Sequence, residues 1–437
     1  MFRNSCRSRR RGAYGGAVTH VLVTAMPFAG HVRPMTAVAG ALLDRGHRVT
    51  AYTGAGHADA FDELGCEVVL WQDARDFDEH RIGDTFPGTG LPGRLGMLAN
   101  MRDLFVGTAP GQVEDIVTAH ERAPFDAIVG DVLAVGSGLA AEVLALPWAT
   151  VSLVPLSLRR QDPPPSGLAL QPGQTWAGRA RDAVLRVMMP TLKEPIERAY
   201  RAARKECGLG TGQPFDEAIY SDALVLATGS PRLEFPRSDL PDSVEFVGYL
   251  EPRGRPMGPP PLWAETLADE PRPVVLVTQG TFDTDPGDLL QPALDGLATD
   301  HVRIIATTAG RDVGDRVPPN ARLVDFIAFA PILPHVRVGV TNGGWGGVLE
   351  MLAHGVPLVV AGSTLDKPEV AARVARSGAG IDLHTGRPRP IRLRNAVRQV
   401  IREPSFREHA LEIAEEFRQL GGAARAAESI ERVLLRR

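Results

Sequence analysis

At 437 residues and 44% hydrophobic, the chain has length for roughly two to three domains with full cores, which excludes a disordered chain or a minimal binding module. A net charge of -4 argues against nucleic acid as the main partner. The three cysteines (Cys6, Cys66 and Cys207) lie too far apart in sequence for a metal knuckle or a disulfide framework, and they fit a reducing cytoplasm.

Residues 1–17 hold Arg3, Arg7, Arg9, Arg10 and Arg11 without the apolar run of a signal peptide, so a disordered basic tail is expected. The most apolar stretch, 143–158, is short and interrupted by Pro147 and Pro155, which argues against a transmembrane helix and against stable membrane insertion.

A first half is expected over 18–250. Thr19 to Ala25 reads as the first strand, Met35 to Leu43 as a helix and Arg48 to Tyr52 as the second strand. Between the first strand and the helix lies Gly30-His31-Val32-Arg33-Pro34. Open α/β sheets place their ligands in such a loop. Its single glycine disfavours a dinucleotide fingerprint. His31 is a candidate base, because imidazole titrates near neutral pH. From Arg75 to Ala109 the periodicity is weak, as in long segments that carry binding function. Phe125 to Gly130 reads as a buried strand ending at Asp131. Asp131 would face the same crevice as His31 and orient its ring, or else cap the helix expected over Gly138 to Leu144. Further strands are expected at Leu146 to Ser152, Ala223 to Ala227 and Val244 to Tyr249. A long helical pattern covers Trp176 to Cys207, and Asp162-Pro163-Pro164-Pro165 has polyproline character.

The segment 251–261, EPRGRPMGPPP, reads as a linker. A second α/β half follows over 262–437. Its strands are expected at Pro273 to Val277, Arg303 to Thr307, Ala321 to Phe326, Val336 to Val340 and Leu358 to Ala361. The first of these runs into Thr278-Gln279-Gly280-Thr281, where Thr281 is a candidate phosphate contact; Asp283-x-Asp285 reads as a loop pair. After Val340 come Thr341-Asn342-Gly343-Gly344-Trp345-Gly346-Gly347 and a helix over Val348 to His354. A glycine turn opening a helix offers unpaired N–H groups and the positive dipole end to an anion. Helices are also expected at Lys367 to Ser377, Ile391 to Glu403, Ser405 to Leu420 and Ala423 to Leu435.

Gly344, Trp345, Glu350, Gly355-Val356-Pro357 and Asp366 resemble, in order and spacing, the donor motif of family 1 glycosyltransferases, and Gly30-His31-x-x-Pro34 resembles that family's acceptor-base loop. Asn342 stands where the family has histidine and Lys367 where it has glutamine. The resemblance implies the GT-B arrangement, two doubly wound Rossmann-like α/β domains facing a cleft, with the last helix returning to the first domain. It implies His31 as base with Asp131 as its partner, and a donor site of Thr281, Phe326, Asn342, Gly343, Gly344, Trp345, Gly346, Gly347, Glu350, Asp366 and Lys367. Phe326 would stack on the base, Glu350 bond the ribose and Asp366 the sugar. The implied reaction is inverting transfer of a hexose from a nucleotide-diphosphate sugar to a lipophilic acceptor, with no metal and no further cofactor, by a cytoplasmic monomer or homodimer. Two alternatives share the architecture: a non-catalytic auxiliary protein, and a nucleotide-sugar epimerase or hydrolase.

Overall fold

The computed structural model describes residues 18–89, 93–158, 164, 168, 170–254, 261–280, 283, 285–314 and 317–435. The expected basic tail, the tri-proline loop other than Pro164, most of the linker and Thr281 lie outside the described residues.

Two parallel sheets organise the chain. In the first half the strands are β1 (His20–Thr24), β2 (Arg48–Thr53), β3 (Glu67–Leu70), β4 (Ala127–Asp131), β5 (Trp148–Ser152), β6 (Val225–Thr228) and β7 (Val244–Gly248). Their order is β3-β2-β1-β4-β5-β6-β7. The helices are α1 (Ala29–Asp44), the short α2 (Asp59–Asp62), α3 (Ile82–Thr85) and α4 (Gly93–Ala99), then α5 (Ala109–Arg122), α6 (Gly136–Leu144), α7 (Trp176–Glu206) and α8 (Phe215–Ala218). In the second half β8 (Val274–Thr278), β9 (Arg303–Thr307), β10 (Ala321–Val324), β11 (Val336–Thr341), β12 (Leu358–Val360) and β13 (Gly380–Asp382) run in the order β10-β9-β8-β11-β12-β13. Their helices are α9 (Leu290–Leu297), α10 (Trp345–Ala353), α11 (Lys367–Ser377), α12 (Pro390–Arg402), α13 (Pro404–Leu420) and α14 (Gly422–Ile430).

The central strands, such as Val21-Leu22-Val23 and Val275-Leu276-Val277, are continuous apolar runs with no measurable exposure. Parallel strands covered by helices on both faces require this pattern. Each sheet reverses its winding once, between β1 and β4 in the first half and between β8 and β11 in the second. Open α/β sheets bind ligands at such switch points, beyond the carboxyl ends of the strands. No helix of the described residues is long and apolar enough to cross a membrane.

Several elements depart from the sequence expectation. The edge strand β3 and the helices α5 and α9 were not anticipated: β3 is a four-residue edge strand of mixed burial, and α5 starts where the irregular stretch was expected to run out. The helix expected from Met35 begins six residues earlier, at Ala29, and carries Pro34 inside it. His31 therefore sits in the first turn of α1 rather than in a loop. The amide of Ala29 donates to Glu79 Oε2 at 3.1 Å, so a carboxylate from the irregular stretch satisfies one open donor of that helix end.

The last helix crosses back to the first half. Ala426, Ala427 and Ile430 are fully buried in the same core as Val32, Met35 and Val38 of α1. Glu431 accepts from Arg45 at 2.5 Å and pairs with His47 at 2.8 Å, and Ser429 donates to Glu245 at 2.6 Å. The start of the linker is pinned beside them: Arg253 N donates to Thr36 Oγ1 at 3.1 Å.

Candidate active site

His31 and Asp131 meet at the first switch point. His31 Nδ1 lies 2.8 Å from Asp131 Oδ2. The carboxylate also accepts from Met26 N at 3.0 Å and Leu133 N at 3.1 Å, so both its oxygens are held, and its side chain is fully buried. With Nδ1–H donated to Asp131, the imidazole presents Nε2 as the acceptor, the tautomer a general base needs. Burial disfavours the charged ring. Asp131, aided by Asp366 and Glu79, outweighs it and raises the His31 pKa above its ordinary value. Phe28 stands 5.8 Å from the imidazole and continues into an aromatic wall, 5.0 Å from Phe77 and 6.3 Å from Phe105.

The glycine turn occupies the second switch point. β11 ends at Thr341, Gly343 has φ 90°, and Gly344 caps α10 without a side-chain bond. A Cβ at Gly343 would meet Val360 Cγ1 at 2.9 Å, so glycine is required there for both conformation and space. The first bond of α10 runs from Val348 N to Gly344 O, which leaves the amides of 345–347 outside the helical ladder. The helix starts at Trp345, three residues before the sequence expectation.

The two halves meet electrostatically at Asp366. Leu365 before it has φ 52°, a left-handed conformation uncommon outside glycine. Burial raises the Asp366 carboxyl above its ordinary range, while Lys367 and His31 pull it down. Asp366 and His31 thus feel each other's charge across the cleft. Glu350 is buried and also raised by desolvation, with the charge of Arg33 in α1 acting against this. Phe326 is 48% exposed, an aromatic face available for stacking, whereas Phe329 packs against the second core.

Three donor-site expectations take a different form. Asn342 does not aim its amide at open space: Nδ2 donates to Gln279 O and, at 2.8 Å, to Asp283 Oδ2. Lys367 is buried. Its Nζ donates to Thr364 Oγ1 at 2.9 Å and lies 3.5 Å from Asp283 Oδ2. Asp283, read from sequence as half of a loop pair, is therefore a hub that also accepts from Thr364 at 3.0 Å. Trp345 turns its indole to the first half, where Nε1 donates to Thr228 Oγ1 at 2.9 Å, so its ring is not at the glycine turn's open face. The roles of Asp283, Thr364, Glu79 and Thr228 escaped the sequence reading because each depends on a partner far along the chain.

Two facing Rossmann-like sheets with a His–Asp pair at one switch point and a glycine turn at the other constitute the GT-B arrangement. Residues 292–427 match the family described as Erythromycin biosynthesis protein CIII-like, C-terminal domain. The chain is 38% identical over 418 residues to 4'-demethylrebeccamycin synthase of Lentzea aerocolonigenes, covering 94% of this chain and 98% of the relative. It is 27% identical over 435 residues to UDP-glycosyltransferase 2 of Phaeomoniella chlamydospora, covering 95% and 96%. Among solved structures, the glycosyltransferase SnogD from Streptomyces nogalater superposes with a TM-score of 0.70 at 21% identity over 95% of this chain and all of that one. Glycosyltransferase VinC, solved in complex with DTDP, gives 0.67 at 22% identity over 96% of this chain and all of that one. The chain belongs to the family 1 glycosyltransferases of GT-B fold, and it is an enzyme that transfers a sugar to a small-molecule acceptor. Neither the auxiliary nor the epimerase or hydrolase alternative is favoured by these relatives.

Proposed function

We propose that the chain moves a hexose, with inversion, from a nucleotide-diphosphate sugar to a hydroxyl of a lipophilic natural product. The observation that carries this reading is the pair of switch points facing each other. His31, held by Asp131, lies close enough to Asp366 for that carboxylate to favour its charged form. The acceptor oxygen gives its proton to His31 Nε2 and forms a bond to the anomeric carbon. The bond from that carbon to the diphosphate oxygen breaks on the opposite face, which inverts the centre. Asp131 stabilises the imidazolium that results. Negative charge grows on the departing diphosphate beside Gly343, Gly344, Gly346 and Gly347, where preorganised N–H groups and the helix dipole favour it. The glycine turn and helix end suffice for this role, so no metal is required by the proposal.

Phe28, Phe77 and Phe105 supply an apolar wall beside the base, which suits a flat or lipophilic acceptor. Asp366 would read sugar hydroxyls, Glu350 the ribose and Phe326 the nucleobase; Lys367 would put its charge near the diphosphate, with Asp283, itself held by Asn342, fixing its place. The nucleotides of the relatives, UDP and DTDP by their names, are the first donors to try. The test is a panel of UDP- and thymidine-diphosphate sugars against lipophilic aglycones, read by mass spectrometry. A product heavier by one hexose, of inverted configuration, is expected. Free sugar without any glycoside would overturn the reading.

A further inference from the structure

The strands β6 and β7 run out onto a pair of glycines. Gly229 and Gly248 exchange two backbone bonds of 2.9 and 3.0 Å as an antiparallel bridge at the edge of a parallel sheet. Both have left-handed φ, 89° and 77°. The second half rests on this pair. A Cβ at Gly229 would meet Trp345 Cζ2 at 2.8 Å, and one at Gly248 would meet Phe417 O of α13 at 2.8 Å. The indole lying on Gly229 is also bonded: Nε1 donates to Thr228 Oγ1, whose own proton goes to Ser152 O at 2.7 Å, the last residue of β5.

Beyond Gly229 the chain does not turn straight back to β7. It crosses to the second half, where Leu233 is buried in the core with Trp345 and Val370. Glu234 accepts from Arg373 Nη2 at 2.8 Å, and the same guanidinium lies 4.6 Å over the Phe235 ring and donates to Glu369 at 2.6 Å. This strap, 228–235, joins the end of the first sheet to α10 and α11. Those two helices begin at the glycine turn and at Asp366-Lys367.

We propose that Trp345 is a positioning residue: through Thr228 and the Gly229–Gly248 pair it sets the distance from the glycine turn to His31. The inference rests on the transfer reading above. Trp345 is the first residue of α10, so any tilt at its indole is passed to the turn next to it. The chain itself passes from β7 into the second half through a segment rich in proline and glycine. In-line displacement is sensitive to such placement, and a 1 Å error costs on the order of 100-fold in rate.

The experiment compares Trp345→Phe, Thr228→Val, Thr228→Ser and the Trp345→Phe/Thr228→Val double variant. Trp345→Phe and Thr228→Val are expected to lower kcat by about tenfold or more while the dissociation constants of UDP and thymidine diphosphate stay within about twofold. The double variant should be no worse than either single one, because both remove the same bond. Thr228→Ser, which keeps the hydroxyl, should restore the wild-type rate even if the others fold poorly. A nucleotide affinity that falls in step with kcat would make Trp345 a donor contact and overturn the proposal, as would unchanged kcat or additive losses. Hydrogen exchange supplies an arm independent of transfer. UDP should protect the amides of Gly229 and Gly248 in the wild type and not in Trp345→Phe at matched occupancy; equal protection, or none in either, overturns the proposal. A wild type that transfers nothing but shows this protection defeats the transfer reading alone.

Discussion

His31 binds a proton more tightly than an ordinary imidazole because buried Asp131, with Asp366 and Glu79, outweighs the cost of burying its charge. Transfer needs the neutral ring, so the rate should rise with pH through that raised value. Asp131→Asn removes the largest raising influence and leaves burial, so the acid limb of the kcat/KM profile should move to lower pH while kcat falls; an unmoved limb would count against the pair. The stability sign is opposite. The charged pair stabilises the fold below the unfolded histidine value of about 6.5, and that contribution fades as pH rises through the folded value. His31→Ala should cost at least about 100-fold in transfer with donor affinity unchanged. Lys367→Gln keeps a donor for Thr364 and Asp283 but removes the charge beside the glycine turn. Titration calorimetry should show nucleoside-diphosphate affinity weakened by about fivefold to tenfold, near 1 kcal/mol. Equal affinities would mean the charge is spent on Asp283. His31 and Asp131 were legible because each follows a recognisable strand. Asn342 and Lys367 were visible as candidates but not their partner, since Asp283 lies 59 residues from one and further still from the other.

Helices were easiest to read where an apolar stripe meets a clean stop. The sequence places α11 correctly from end to end, as Asp366 leads in, Pro368 opens it and Gly378 closes it with φ 77°. The start of α1 was hidden because Gly30 and Pro34 argue against a helix, and the Glu79 carboxylate that satisfies the Ala29 amide lies far along the chain. β3 was missed because a short edge strand has little periodicity to show. The returning α14 is an element whose worth lies in its partner. Ile430→Ala should cost about 2–5 kcal/mol, measured by denaturant unfolding, because its side chain is fully buried against α1. A loss below half a kcal/mol would mean the helix is docked only by its salt bridges.

At the scale of the molecule, two α/β halves were legible from alternating strand and helix patterns. What could not be read was how the halves grip each other, since Thr228, Gly229 and Arg373 carry no pattern of their own. That grip makes a thermodynamic prediction. With the strap in one direction and α14 in the other, the halves should unfold together. Calorimetry should show one transition, and nucleoside diphosphate at 100 times its dissociation constant should stabilise the whole by about 2.7 kcal/mol. Two transitions, of which only one moves with nucleotide, would show that the halves are independent.

The route of the chain also governs how such enzymes can be recombined. A hybrid cut once at the linker takes its first half from one parent and leaves α14 to come from the other, so Glu431 would face a foreign Arg45 and His47. The strap has the reverse problem, since Glu234 travels with the first parent and Arg373 with the second. A workable graft of a new donor specificity therefore needs two crossovers, in the linker and after Leu420, together with a matched strap.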